Sequence, residues 1–223
     1  TFKGVINGFP GQMTGPEVLE FLIRKAANTS NGVDLNIGYN YPQLISKFTM
    51  GAVFYNAAVD GYLDEKLSKS NDKPYKAGKH YTGKEHVWDE AFGYWGAAAH
   101  TLRLTAKESY DVAKKKNLSA ADFNNDGVID LNTEMTFAHA YYAAAFDKGG
   151  KSNYSQDIMK AFIDGRELIS SARGNKFNDS QNDKLKSLAN QIADNWEKVI
   201  AEAVFKYAGS VYKDMSNLEK IIN

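Results

Sequence analysis

Residues Asp183–Tyr212 read DKLKSLANQIADNWEKVIAEAVFKYAGSVY, and their apolar side chains decide the fold class. Leu185, Leu188, Ile192, Trp196, Val199 and Ala203 follow one another at steps of 3 or 4 residues. An α-helix of 3.6 residues per turn lays all six on one stripe, with the Lys, Asp, Gln and Glu between them turned to solvent. A stripe of that length must be buried against other helices, so the rest of the chain has to supply partners of the same period.

It does. Ser155–Ala172 places Ile158, Phe162, Ile163 and Ile169 inward, and Met135–Phe146 keeps helical spacing. Thr105–Lys116 is more polar and is expected to lie exposed. Thr82-Gly83-Lys84-Glu85 is a capping box, in which the Thr hydroxyl takes one free amide while Glu85 reaches back. The helix it opens carries Trp88, Phe92 and Trp95 together with Gly93, Gly96, Ala97, Ala98 and Ala99, small residues that let another backbone come close. We expect it at the centre of the bundle. Pro42–Lys69 steps through Leu44, Ile45, Phe48, Ala52, Tyr55, Val59 and Leu63, and Thr14-Gly15-Pro16-Glu17 starts a first helix that Asn31-Gly32 stops. Ser70–Lys79 is a polar loop. No alternating stretch exceeds a few residues and no segment repeats. The prediction is an all-α, multi-helix bundle forming a single domain over residues 1–223.

Composition narrows the function classes. Lys+Arg and Asp+Glu both total 27, so no net charge draws the chain to nucleic acid or to an anionic membrane surface. There are no cysteines, which excludes disulfides, thiolate metal sites and a cysteine nucleophile. No run approaches the about 18 apolar residues of a membrane span, so no transmembrane segment is expected. The chain opens at Thr1 with no leader pattern, as a processed or trimmed form would. The 13 Tyr, 12 Phe and 3 Trp are an unusually high aromatic content; many must be core, and an aromatic-lined cavity is a second use for them. There is no Gly-rich phosphate loop, no G-x-S-x-G elbow and no H-E-x-x-H. Lys114-Lys115-Lys116 is a short solvated run, and the Asn-x-Ser/Thr triplets at Asn28, Asn117, Asn153 and Asn178 are weak signals in an Asn-rich chain.

Two stretches carry chemistry. Residues 122–134 read DFNNDGVIDLNTE and match D-x-N-x-D-G through six positions, the opening of an EF-hand-like calcium loop. Side-chain oxygens on alternate residues converge when the chain curls, and Gly127 permits the left-handed turn at the tightest point. Asp122, Asn124 and Asp126 would bind Ca²⁺ through side chains, Val128 through its carbonyl and Asp130 directly or through water, an all-oxygen set suited to a hard cation. Ile129 occupies the inward apolar place. The bidentate Glu of such loops belongs one residue earlier, where Thr133 stands, so Glu134 ligates only if the loop is bulged. The helix entering the loop is poorly defined, so a paired EF-hand is not required. A lone loop of this kind acts as a structural clasp in millimolar external calcium, which favours an extracytoplasmic location.

The second stretch is Glu85, His86, Asp89 and Glu90. His86, Asp89 and Glu90 stand at i, i+3 and i+4 on one helix face and form a candidate iron or zinc site, or an acid–base pair. Against this, acidic residues in a first turn suit the helix dipole without any further task. If the helix ran on, His100 would lie about 21 Å from His86, too far to share a metal. His139, just after the calcium loop, is the residue a fold could bring back to that site. His80 and His100 read as ordinary.

Glu85-His86-Val87-Trp88-Asp89-Glu90-Ala91-Phe92-Gly93-Tyr94-Trp95-Gly96 resembles the signature of a bacterial family, domain of unknown function 4856. So do Asp126-Gly127-Val128-Ile129-Asp130-Leu131, Ala161-Phe162-Ile163-Asp164-Gly165-Arg166 and Asn195-Trp196-Glu197-Lys198-Val199-Ile200, a resemblance covering about Tyr39 to Tyr212. It implies exported envelope proteins or lipoproteins of Gram-negative bacteria, in the periplasm, on the outer membrane or at the cell surface. The chain is also similar to the imelysin-like proteins, helical proteins tied to iron uptake, whose signature is G-x-H-x-x-E. Here Gly83 stands three residues before His86, Asp89 replaces the Glu and Glu90 follows it, which counts against iron and more against peptidase chemistry.

These readings combine into an expected function: a non-enzymatic, extracytoplasmic metal-binding domain, clasped by calcium and linked to iron or other metal uptake, with envelope or surface proteins as partners. Two alternatives stand beside it. One is a structural or adhesive cell-surface subunit stabilised by calcium. The other is a metallohydrolase in which His86 and Asp89 hold the metal and Glu90 is the base.

Overall fold

The computed structural model describes residues 4–9 and 11–222. In chain order these form β1 (Val5–Phe9), β2 (Gly11–Thr14), α1 (Gly15–Ala27), β3 (Val33–Asp34), β4 (Tyr39–Asn40), α2 (Tyr41–Thr49), a π-helical segment (Met50–Glu65), α3 (Gly83–Trp95), α4 (Ala106–Ala113), α5 (Ala138–Asp147), α6 (Tyr154–Ser171) and α7 (Asp179–Ile222). The chain is mostly helical, as its periodicity predicts. Two short antiparallel pairs, β1–β2 and β3–β4, sit near its beginning.

Trp196 is the hub of the core. Its ring meets Trp95 of α3 edge-on at 4.8 Å, His139 of α5 at 5.5 Å and Tyr55 of the π-helical segment at 5.7 Å. The stripe that predicts α7 is buried from Leu185 through Val199. Beyond Ala203 the helix continues to Ile222 with its apolar residues exposed. A smaller core joins Val18 and Leu22 of α1 to Tyr41, with Ile45 and Phe48 of α2 against it.

Two predicted helices are corrected. Pro42–Lys69 is one rod but two pitches: α2 gives way at Met50 to π-type winding, with Lys66 N–H donating to the Gly61 carbonyl five residues back at 3.0 Å. The other correction is at the end of α3. The small-residue run from Gly93 to Ala99 reads as helix, yet α3 stops at Trp95 because Gly96 turns left-handed at φ +86°. Its carbonyl accepts the Phe137 N–H at 2.7 Å, and a Cβ there would lie 2.8 Å from the Phe137 oxygen. The close backbone approach is real, but it is made by a helix end. His100 therefore leaves the line of His86 and stacks on Phe123 instead, ring centroids 4.9 Å apart. Among the described residues no helix is long and apolar enough to cross a membrane.

Candidate functional site

The acidic loop Asp122–Glu134 folds by turning each side chain back on the amides that follow it. Asp122 accepts the N–H of Asp126 at 3.1 Å and that of Gly127 at 3.0 Å, across the turn Gly127 makes at φ +80°. Asn124 accepts from Asp126 N–H at 2.9 Å, Asp126 from Val128 N–H at 2.8 Å, and Asp130 from Asn132 N–H at 2.7 Å. The Asn124 side-chain amide also donates to Asp126 at 2.8 Å. Ile129 packs inward against Val112, Ala121 and Met135, as the sequence predicts.

Glu134 has a separate place. It is buried, and its two oxygens accept from Phe123 N–H at 2.9 Å, Asn124 N–H at 3.4 Å and Asp130 N–H at 2.9 Å. It straps the loop's beginning to its end through main-chain amides. Among the described residues, no Lys, Arg or His nitrogen lies within ion-pair distance of Asp122, Asp126, Asp130 or Glu134. Nor do three His, Asp or Glu side chains converge there among the described residues. A calcium ion would therefore rest on the Asp122 and Asp126 carboxylates with the Asn124 oxygen, the Val128 carbonyl and water. These donors are all oxygens, the kind a hard cation takes.

The start of α3 is built differently. The Thr82 hydroxyl accepts the Glu85 N–H at 3.1 Å while Glu85 accepts the Thr82 N–H at 2.7 Å, the predicted capping box. The other Glu85 oxygen takes Arg166 of α6 at 3.0 Å, and Arg173 stands 3.4 Å from the first. Arg166 also holds Asp89 at 2.8 Å, so one guanidinium bridges both carboxylates. Burial pushes the Glu85 carboxyl up, but the Thr82 amide, Arg166 and Arg173 together outweigh it and leave the group below the ordinary range. His86 lies against Tyr75 at 4.1 Å and Tyr81 at 5.7 Å, with its Nδ1 3.7 Å from Glu90. Asp89 thus already has its cation, and His86 is packed between tyrosines. Among the described residues no three His, Asp or Glu side chains converge here either, and His139 lies against Trp196 in the core instead of joining them.

Local spacing gave no sign of Arg166 and Arg173 as partners, because Arg166 meets Glu85 across 81 residues of chain. A signal was nonetheless present in Gly165-Arg166. A Cβ on Gly165 would lie 2.1 Å from the Trp88 ring, so this glycine admits Trp88 while the next residue reaches Glu85 and Asp89. Trp88 completes the contact by donating its indole N–H to the Phe162 carbonyl at 2.8 Å. The two sequence signatures around Trp88 and Gly165 are the two halves of one helix–helix contact.

That contact lies within the part of the chain that defines its family. The profile of Domain of unknown function (DUF4856) matches residues 30–183, more than half of the sequence, and the chain belongs to that family. No curated protein and no solved structure matches it.

Proposed function

We propose that this chain is a non-enzymatic metal-binding domain that works outside the cytoplasm, with Ca²⁺ held in the loop Asp122–Glu134. One observation carries the reading: four carboxylates within this loop meet amides and no fixed cation, whereas Glu85 and Asp89 are paired with Arg166 and Arg173. A divalent ion would supply the missing charge and fix the loop that leads into α5. Lone loops of this type bind in the range of about 10⁻⁴–10⁻³ M, which matches external rather than cytosolic calcium. That affinity, with the resemblance to exported and imelysin-like proteins, supports a place in the cell envelope and a link to metal uptake.

Calcium titration of the metal-stripped protein tests this. At about twenty times Kd, calcium should add about 2 kcal/mol, raising Tm by roughly 4–7 °C, and chelation should reverse it. Asp126→Asn should abolish the rise. No heat of binding in millimolar calcium would overturn the reading. Iron or zinc retained on purification and lost in His86→Ala would instead move the metal to α3. There Asp89 would first have to release Arg166.

A further inference from the structure

A cavity of about 230 Å³ opens where α2 passes into π-type winding and α7 leaves the bundle, with α5 behind it. Such changes of pitch recur at functional sites, because they displace side chains from the regular helical rows. Three donors collect at the cavity. Lys47 donates to the Tyr142 hydroxyl and lies 4.8 Å over its ring, and the Tyr142 and Tyr207 hydroxyls are 3.0 Å apart. Lys47 makes no ion pair among the described residues, so its charge is uncompensated. His139 also lines the cavity. It is only 6% exposed, and its Nδ1 has no hydrogen-bond partner. The remaining walls, including Met50, Ile200, Ala203 and Val204, are apolar.

We propose that this cavity binds a small organic monocarboxylate, its head on Lys47, Tyr142 and Tyr207 and its hydrocarbon body along Met50, Ile200 and Ala203. Charge selects the class. Burial and the nearby Lys47 hold His139 down at about 4, so at neutral pH the ring adds no second positive charge and a monoanion balances the site. Size selects the rest: the space is below the about 300–1,000 Å³ of drug-sized sites and suits roughly ten non-hydrogen atoms.

Calorimetric titration of the full chain with sodium octanoate, 1-octanol and inorganic phosphate tests the proposal. Octanoate should bind, with 1-octanol and phosphate each weaker by about tenfold or more. Lys47→Met should weaken octanoate by a similar factor. Gly51 lines the cavity, and a Cβ there would meet no atom within 4 Å, so Gly51→Leu should occupy the space and block binding without lowering Tm. Absence of octanoate binding by the folded protein would overturn the proposal. So would phosphate binding as tightly as octanoate, or octanoate binding unaltered in folded Lys47→Met and Gly51→Leu.

Discussion

At the start of α3, Glu85 and Asp89 meet a guanidinium at 3.0 and 2.8 Å, supplied by a residue of α6. In the loop Asp122–Glu134 the carboxylates meet only amides, most of them from the neighbouring backbone. Both stretches are acid-rich and both are closed by hydrogen bonds. In α3 the neutralising charge is part of the chain, so the contact is permanent and joins two helices. In the loop only partial charges answer the carboxylates, and the remainder is left to whatever cation the solution holds. Acidic residues alone therefore do not mark a metal site; what distinguishes the two is who provides the positive charge.

The largest effect expected is on the α3 side. Glu85→Ala removes the cap acceptor and the buried carboxylate shared by Arg166 and Arg173, and should cost about 2–4 kcal/mol in urea denaturation, equally with and without calcium. A loss confined to calcium-free buffer would erase the distinction between the two regions.

Acid exposes a third contributor. His139 has a folded value of about 4, below the ordinary 6.5, so the unfolded chain takes the proton first as pH falls. Its stabilisation is complete above about 6.5, is lost progressively down to about 4, and amounts to as much as about 3 kcal/mol. His139→Leu should flatten that part of the stability–pH curve. Glu85, lowered from its ordinary value, contributes only to the fall that begins below about 4.5. An unchanged curve in His139→Leu would mean that another group is responsible.

Glu134→Gln sharpens the comparison most finely. If Glu134 is the strap the geometry shows, the variant should lose about 1–2 kcal/mol of stability and keep its calcium affinity within a few-fold. A fall of about a hundredfold in affinity would make Glu134 a ligand after all. Smallest of all, Asp130→Asn should change calcium affinity by only a few-fold, since the Asp130 carboxylate is turned onto the Asn132 amide and would reach the ion only through water.

The parts of this molecule that could be read from sequence are those whose partners lie a few residues away. The α7 stripe, the Thr82–Glu85 box and the inward Ile129 follow from local spacing, and the structure shows all three. The end of α3 did not follow, because a run of small residues allows either a continued helix or a tight backbone approach, and Phe137 settles which. The π-type winding after Thr49 was equally hidden, since apolar spacing alone does not fix the pitch. At Glu134 the sequence shows a carboxylate near a ligand position. Its actual partners are main-chain amides, which have no residue identity to read. The cluster of Lys47, His139, Tyr142 and Tyr207 comes from three helices, and no window along the chain contains it.

The gathering of Trp88, Trp95 and Trp196 in one core has an optical consequence. All three indoles are shielded from solvent, so intrinsic emission should be blue-shifted and should report on the same cooperative unit. The layer formed by β1, β2, α1 and α2 contains no tryptophan and would be silent in such a signal. Melting of that layer ahead of the bundle would pass unseen by fluorescence and show only in far-ultraviolet dichroism, so disagreement between the two probes measures how tightly the two cores are coupled.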